Sequence, residues 1–415
     1  MKDTPVHLFL TTELFHPDLP GGLMRFFRYG PGLKERGVTP HVITLRHRPE
    51  LRDEDEANGI LIHRLDPPDS APGELQRAWL LRQALRRARE VRLQGGAAVL
   101  QPGILSHTMT PSLAGARMRG IGCVHNISIA PETALKTGGI ARLRQRLRMG
   151  WMCAPVSRFV FLSHQLRRQY QQRWPLRAAQ IQVIPNGVDM GRFHPSADAA
   201  ERAELRARHG LGGGQKIALF VGGIMARKGV DILLRAWDQV LAEHPDAVLL
   251  VLGSRGGRVS HERAGFKDEL AEYLRQMDEL RARCAAPESI RFLGEAANPA
   301  PYYRMADVFA FPSRREGLPN VVLEAMASAL PCLVARFDGM PQNGEEFGHA
   351  DRHFHALSHE PGEWAARLAR ILRDDQDGPR RKMGALAREW IESHHNLPTI
   401  LDQWSRLYHE AAGQG

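Results

Sequence analysis

Short apolar or β-branched runs recur along the whole chain, and helical patterns separate most of them. In the first half they are "VHLFLTTE" (6–13), "TPHVITL" (39–45), "GILIHRL" (59–65), "AAVLQP" (97–102), "IGCVHNI" (121–127), "RFVFLS" (158–163) and "IQVIPNG" (181–187). The second half repeats the scheme with "KIALFVGG" (216–223), "AVLLVLG" (247–253), "SIRFLG" (289–294), "DVFAFPS" (307–313) and "PCLVARF" (331–337). Strands that alternate with helices predict parallel sheets covered by helices on both faces. Two such sets, joined near "NGVDMGRFHPSADAAE", predict an α/β protein of two Rossmann-like, doubly wound domains facing each other across a cleft. The expected divisions are 1–190, 191–385 and a helical end, 386–415, that packs back on the N-terminal domain.

One stretch fits this plan and adds a question. In "SRREGLPNVVLEAMASALP" (313–331), Glu316 and Glu324 flank a helix start. Pro319 suits the first turn, where its missing N–H costs nothing. Val322, Ala325, Met326 and Ala329 recur at helical spacing and predict one apolar face. An acid near the positive end of a capped amphipathic helix explains one carboxylate without any chemistry. The second has to be explained by its surroundings.

Composition narrows the class. At 415 residues, 43% hydrophobic and 25% charged, the chain is globular. Cys123, Cys153, Cys284 and Cys332 lie far apart without C-x-x-C or zinc-ligand spacing, which predicts reduced structural thiols in a cytoplasmic protein. No run approaches the roughly 18 apolar residues of a membrane span, and the five-residue apolar run near the N-terminus is too short for a signal peptide. The formal charge of +10 is unevenly spread: from Glu74 to Arg177 there are eighteen Lys/Arg against three acids, Glu74, Glu90 and Glu132. "RQALRRAREVRLQ" (82–94) and "ARLRQRLRMGWM" (141–152) are basic and amphipathic, so Arg142, Arg144, Arg146 and Arg148 are candidate contacts to an anionic membrane surface or acceptor. A merely solvated arginine-rich face explains either segment equally well. Aromatics do not interleave with the arginines and no nucleic-acid-binding motif occurs, so nucleic acid is not an expected partner.

Ligands of doubly wound sheets sit at the carboxyl ends of strands, in the loops that follow. After the first strand, Gly21 and Gly22 open a helix and can offer backbone N–H groups to an anion. After "KIALFVGG", adjacent Arg227 and Lys228 can neutralise a diphosphate. "LGSRGGR", with Gly253, Gly256 and Gly257, lacks the full Rossmann fingerprint and reads as a turn. "PSRREGLPN" then leads into the helix that carries Glu324. Its N–H groups and dipole would face a phosphate held by Arg227 and Lys228. Glu324 can accept both hydrogens of a ribose diol, and Glu316 can hold hydroxyls of a transferring sugar.

These segments, with "VIPNGVDMGRFHP" (183–195), "VGGIMARKGVDILLRAW" (221–237) and "FLGEAANPAPYYRMADVFAFPSRREGLPNVVLEAMASALPCLV" (292–334), resemble the retaining glycosyltransferases of the GT-B fold, family 4. The glutamates spaced eight apart, with "EG" and "EAMA" around them, are the most specific element. The resemblance implies Arg227 and Lys228 on the donor diphosphate and Glu324 on the nucleotide ribose. It puts Glu316 at the donor sugar, with Gly317 and Leu318 lending backbone N–H groups. His125 in "CVHNIS" matches a histidine that the family carries after a corresponding strand, close to the donor sugar; His107 is a weaker rival. The implied co-substrate is a UDP- or GDP-sugar with no other cofactor, and the implied acceptor is a glycan or lipid-linked sugar of envelope polysaccharide, lipopolysaccharide or glycolipid synthesis.

Two positions depart from the family pattern. Gly223 stands where many members have Arg, and Gln342 stands where a Glu usually follows Gly and Pro. The histidines of "NGEEFGHADRHFHALSHEP" read as scattered solvent-exposed residues. Two cations and a helix N-terminus can stabilise a departing diphosphate electrostatically, and no Asp-x-Asp stands where Mg²⁺ would hold it. The expected enzyme is therefore metal-independent, and the resemblance implies that it is retaining, with the departing phosphate assisting deprotonation of the acceptor. A sugar-nucleotide-binding protein that has lost turnover, or an epimerase or hydrolase of the same fold, are the alternatives. The expected location is cytoplasmic, peripheral on the inner membrane face.

Overall fold

The computed structural model describes residues 4–19, 21–66, 73–129, 139–256, 265–373 and 378–413. Glu132 and Gly257, both named above, lie outside the described residues. The chain forms two compact units, Met1–Pro185 with Pro398–Gly415, and Asn186–Leu397.

The first unit is built from β1 (Val6–Thr11), α1 (Gly21–Glu35), β2 (Val38–Leu45), β3 (Glu54–Ala57), β4 (Ile60–Leu65), α2 (Gly73–Leu93), β5 (Ala97–Pro102), α3 (Thr110–Arg117), β6 (Gly122–Ile127), α4 (Gly139–Cys153), β7 (Arg158–Phe161), α5 (His164–Gln171) and β8 (Ile181–Val183). Its sheet runs β3-β4-β2-β1-β5-β6-β7-β8, parallel except for the antiparallel β3–β4 pair. Burial of Val6, Leu8, Phe9 and Leu10 on β1 and of Ala97 to Leu100 on β5 shows why these runs are apolar throughout: helices cover both faces of the central strands. β3, "EDEA", has no counterpart in the apolar pattern, because an edge strand carries charge instead of core.

The second unit contains α6 (Ala199–Arg208), β9 (Ile217–Val221), α7 (Val230–Glu243), β10 (Val248–Leu252), α8 (Phe266–Arg283), β11 (Ile290–Gly294), α9 (Ala300–Met305), β12 (Val308–Phe311), α10 (Asn320–Ala327), β13 (Cys332–Ala335), β14 (His355–Leu357), α11 (Pro361–Arg373) and α12 (Pro379–His394). Its sheet is parallel in the order β11-β10-β9-β12-β13-β14, so the chain reverses its winding between β9 and β12. Trp237 on α7 and Trp364 on α11 are fully buried, and each indole N–H is satisfied, by Ser289 Oγ at 2.9 Å and Ser358 O at 2.8 Å.

The C-terminal helices divide between the units. α13 (Leu397–Ala411) lies in the first, with Tyr408 donating to Gln101 Oε1 at 2.7 Å and Arg36 to Asp402 at 2.6 Å. α12 lies in the second, although 386–415 was expected to pack as one piece on the N-terminal domain. Arg380 joins Arg202 and Arg206 around buried Asp307, Arg388 reaches Ala327 O, and Trp390 donates to Glu346 O. Those bonds hold residues 386–396 where they are. The "NGVD" segment belongs to the same unit: fully buried His395 meets Asn186 O at 2.9 Å and Glu346 O at 2.7 Å through its two ring nitrogens.

Candidate functional site

The reversal between β9 and β12 puts two loops side by side at the carboxyl ends of adjacent strands, the position where such sheets bind ligands. One loop, 222–229, carries Arg227 and Lys228 in a short 3₁₀ turn; the other, 312–319, carries Glu316. Gly229 lets them meet. Its φ is 72°, and a Cβ there would stand 2.2 Å from Pro312 O. Arg314 N–H then donates to Arg227 O at 2.8 Å, and Glu316 N–H to Asp338 O at 3.1 Å.

Three donors converge on one oxygen. Arg227 Nη1, Lys228 Nζ and Ser313 Oγ each lie 2.7 Å from Glu316 Oε1. Burial alone would push the Glu316 carboxyl up, but Lys228 and Arg227 outweigh it and hold the group below its ordinary value. Burial lowers the Lys228 ammonium against the opposing pull of Glu316, and Lys228 also sits 5.2 Å from the centre of the Phe311 ring. Two cations against one carboxylate leave the cluster one positive charge in excess.

Glu324 is buried inside α10, where Tyr303 OH donates to its Oε2 at 3.0 Å. Pro319 is the N-cap residue of α10 and Asn320 its first helical residue, so the proline stands one step before the expected first turn. Nor is α10 amphipathic: Val322 through Ala327 are all buried, so the helix is surrounded on every side. Ala329 lies beyond its end with φ 56°. Gly317 and Leu318 are buried in the approach to α10, and Leu318 O accepts from Asn186 Nδ2 at 2.7 Å.

The remaining candidates scatter. Gly21 and Gly22 are the first residues of α1, in the other unit. His125 lies within β6 instead of in a loop after it, because its ring is packed against Phe159 and its Nδ1–H donates to Pro102 O at 3.1 Å. Burial drives its pKa down to about 4, so the ring is neutral near neutral pH. His107 is exposed at the start of a short turn. Arg142, Arg144, Arg146 and Arg148 are all exposed on α4. Among the departures, Gln342 is exposed, and a Cβ at Gly223 would meet nothing closer than Met225 Cε at 3.4 Å. Gly253 is a rigid contact, since a Cβ there would stand 2.0 Å from Gly222 O.

Several supporting residues escape sequence reasoning. Ser313 is one, and it could have been found as the residue three before Glu316 on the same turn. His359 is another: its Nε2 meets Ser313 O at 3.2 Å. The histidines expected to be solvent-exposed are mostly not. His353 is buried against Trp390, and His355 and His359 are half-buried. Among the described residues, no group of three or more His, Cys, Asp or Glu could hold a metal ion.

Residues 201–390 match the family model "Glycosyl transferases group 1", and residues 24–192 match "Glycosyltransferase Family 4". The chain belongs to this glycosyltransferase family, and its fold is GT-B. It is 32% identical over 255 residues to a D-inositol 3-phosphate glycosyltransferase of Segniliparus rotundus, covering 60% of this chain and 52% of that protein. It is 31% identical to a GDP-mannose-dependent alpha-(1-6)-phosphatidylinositol monomannoside mannosyltransferase of Mycolicibacterium smegmatis, covering 47% and 51%. The matched stretch thus spans about half the length of each of these relatives. Anabaena Alr3699/HepE in complex with UDP shares the fold at a TM-score of 0.71 and 16% identity, over 97% of this chain and 99% of that one.

Proposed function

We propose that the protein moves a sugar, with retention at the anomeric carbon, from a nucleoside-diphosphate sugar to a hydroxyl of a glycan or lipid-linked acceptor. The observation that carries this reading is the convergence of Arg227, Lys228 and Ser313 on Glu316 at the sheet's reversal point. A departing nucleoside diphosphate gains negative charge, and fixed cations stabilise it without reorganising. Arg227 and Lys228 take that role, with the backbone N–H groups of Gly317 and Leu318 beside them. All three donors use Oε1 of Glu316, which leaves Oε2 to accept hydroxyl hydrogens of the donor sugar. Glu324, held by Tyr303, serves the ribose diol. Neutral His125 offers the Nε2 lone pair to a sugar hydroxyl. The fixed charges make a metal unnecessary, and the departing phosphate oxygen takes the acceptor's proton.

Similarity to proteins named for GDP-mannose and inositol-phosphate chemistry, and a fold shared with a UDP complex, support a UDP- or GDP-sugar donor. The test is a donor screen that measures nucleoside diphosphate release and glycosidic product with membrane-lipid extract as acceptor. Lys228→Ala should lower turnover by about a hundredfold, as loss of a transition-state charge donor does. Release of free sugar without any glycosidic product would replace transfer by hydrolysis.

A further inference from the structure

α2 and α4 are the two arginine-rich helices of the first unit, and they bury different amounts of themselves. α2 packs Ala78, Leu80, Leu81, Ala84 and Ala88 into the core and leaves Arg82, Arg86, Arg89 and Arg92 exposed. α4 buries only Met152 and Cys153. Its larger apolar side chains point away from the protein: Ile140 is 73% exposed, Leu143 58%, Leu147 65% and Trp151 52%. At 3.6 residues per turn these four fall within about 80° of arc. Arg144 and Arg148 border that ridge on one side, and Arg146 and Arg142 on the other. Met118, 81% exposed just beyond α3, extends the apolar surface across a groove shared with Trp151, Ala114 and Pro155.

Solvated helices do not keep a contiguous apolar ridge on their outer face; such a patch marks an interaction surface. The flanking charge selects the partner. Arginines on both edges of an apolar ridge match a surface that is anionic at its top and apolar just beneath, because the guanidiniums stay at headgroup level while the ridge sinks past them. The charge of the stretch around it agrees, with eighteen cations against three acids between Glu74 and Arg177. We propose that α4 is an interfacial helix that docks the first unit on an anionic phospholipid bilayer, with Ile140, Leu143, Leu147 and Trp151 inserted and the four arginines on the headgroups. This docking is independent of the sugar-transfer reading. Nucleic acid fits less well, since a phosphate backbone offers nothing for the apolar ridge to enter.

The experiment is flotation of the full chain with vesicles of phosphatidylglycerol and phosphatidylcholine in equal parts, against phosphatidylcholine alone, at low and high salt. Wild type should float with the anionic vesicles and lose affinity as salt rises, since the Debye length shrinks. Leu143→Asp with Leu147→Asp should weaken binding at least about tenfold while leaving thermal unfolding unchanged, because both side chains are already exposed. Changing Arg142, Arg144, Arg146 and Arg148 together to Gln should weaken it similarly and flatten the salt dependence. Trp151 supplies a second readout: vesicles should blue-shift wild-type emission, and the shift should be absent from Trp151→Phe. Wild-type failure to bind anionic vesicles, equal binding to phosphatidylcholine alone, or undiminished binding by the double Asp variant each overturns the proposal. So does single-stranded DNA binding that depends on Leu143 and Leu147 in the same way.

Discussion

The two units differ in the polar group that dominates the interior. The second buries charge and compensates it. Asp307 sits among Arg202, Arg206 and Arg380, and Glu316 among Arg227, Lys228 and Ser313. The first also buries Arg64 beside Asp55, but what sets it apart is a row of imidazoles under a surface that keeps many arginines outside. His7 Nδ1 meets His41 Nε2 at 2.9 Å, His41 Nδ1 meets His63 Nε2 at 3.1 Å, and His63 Nδ1 pairs with Glu54. His125 is likewise buried and neutral. Guanidinium and carboxylate pairs keep their charge across the physiological range, whereas an imidazole row stays stable only while it stays unprotonated. The ion pairs around Glu316 and Asp307 therefore keep an electrostatic field that pH barely alters, whereas the imidazole row of the first unit has a built-in acid sensitivity; in the second unit buried His395 shares that sensitivity.

Removing the compensation is the strongest way to break this contrast. Glu316→Ala leaves Lys228 and Arg227 facing each other with no carboxylate between them. Loss of one partner from a buried pair costs about 3 kcal/mol or more. Thermal unfolding of the second unit should fall accordingly, and transfer should drop with it. A melting temperature within error of wild type would mean that water, and not Glu316, solvates the two cations.

Acid sharpens the other side. In the unfolded chain His41 would protonate near 6.5, but burial first, then the charges of His63, His7 and Arg87, lower it to about 3 in the folded unit. His63 is also lowered, by burial first, with Glu54 opposing. A depressed histidine pKa means the unfolded state binds more protons, so stability is complete above about pH 6.5 and is lost progressively as pH falls toward 3. At pH 5 the His41 contribution is about 2 kcal/mol. Hydrogen exchange followed by mass spectrometry resolves the units: peptides of β1, β2 and β4 should lose protection between pH 6.5 and 5 ahead of those of β9, β10 and β12. Equal loss in both sheets would remove the histidine row as the cause.

How far the sequence reaches follows the same division between apolar pattern and buried polarity. Each of the twelve apolar runs holds a strand, because a strand buried on both faces has to be apolar along its length. β3 and β14 escape because they are short, and β3 is acidic as well. Arg227, Lys228, Glu316 and Glu324 were visible because their types and spacing carry chemistry after strands. Their mutual contact was not, since nothing local says that Arg227 and Lys228, 89 and 88 residues before Glu316, close on one of its oxygens; the strand order does that. His353 reads as a solvent-exposed residue, and only packing shows it, with Asn186 and His395, to be buried. α4 and α10 both display helical periodicity, yet one is mostly exposed and the other is buried from Val322 to its end. Composition separates them: α10 carries one charge in eight residues, whereas α4 alternates arginine with leucine.

Two glycines of the same loop make the finest comparison. Gly229→Ala puts a methyl 2.2 Å from Pro312 O at a φ of 72°, so either the backbone shifts or loops 222–229 and 312–319 part. The left-handed conformation alone costs a non-glycine residue about 1–2 kcal/mol, and the clash adds to it. Nucleotide affinity should fall together with stability, because Arg227 and Lys228 leave Glu316. Gly223→Ala should do the reverse. Its φ lies outside the left-handed region, and its Cβ would rest 3.4 Å from the flexible end of Met225 and 4.0 Å from Ser254 Oγ, both ordinary contacts. The substitution restricts the unfolded chain more than the folded one and should stabilise by roughly 0.5 kcal/mol. Denaturant melts of both variants decide the matter, with unchanged m-values as the control that only stability has moved. If Gly223→Ala destabilises as much as Gly229→Ala, the backbone at 223 requires glycine, and the departure from the family's arginine is forced by the fold. If it is neutral or stabilising, position 223 accepts a side chain, and the missing cation is a property of the site's chemistry.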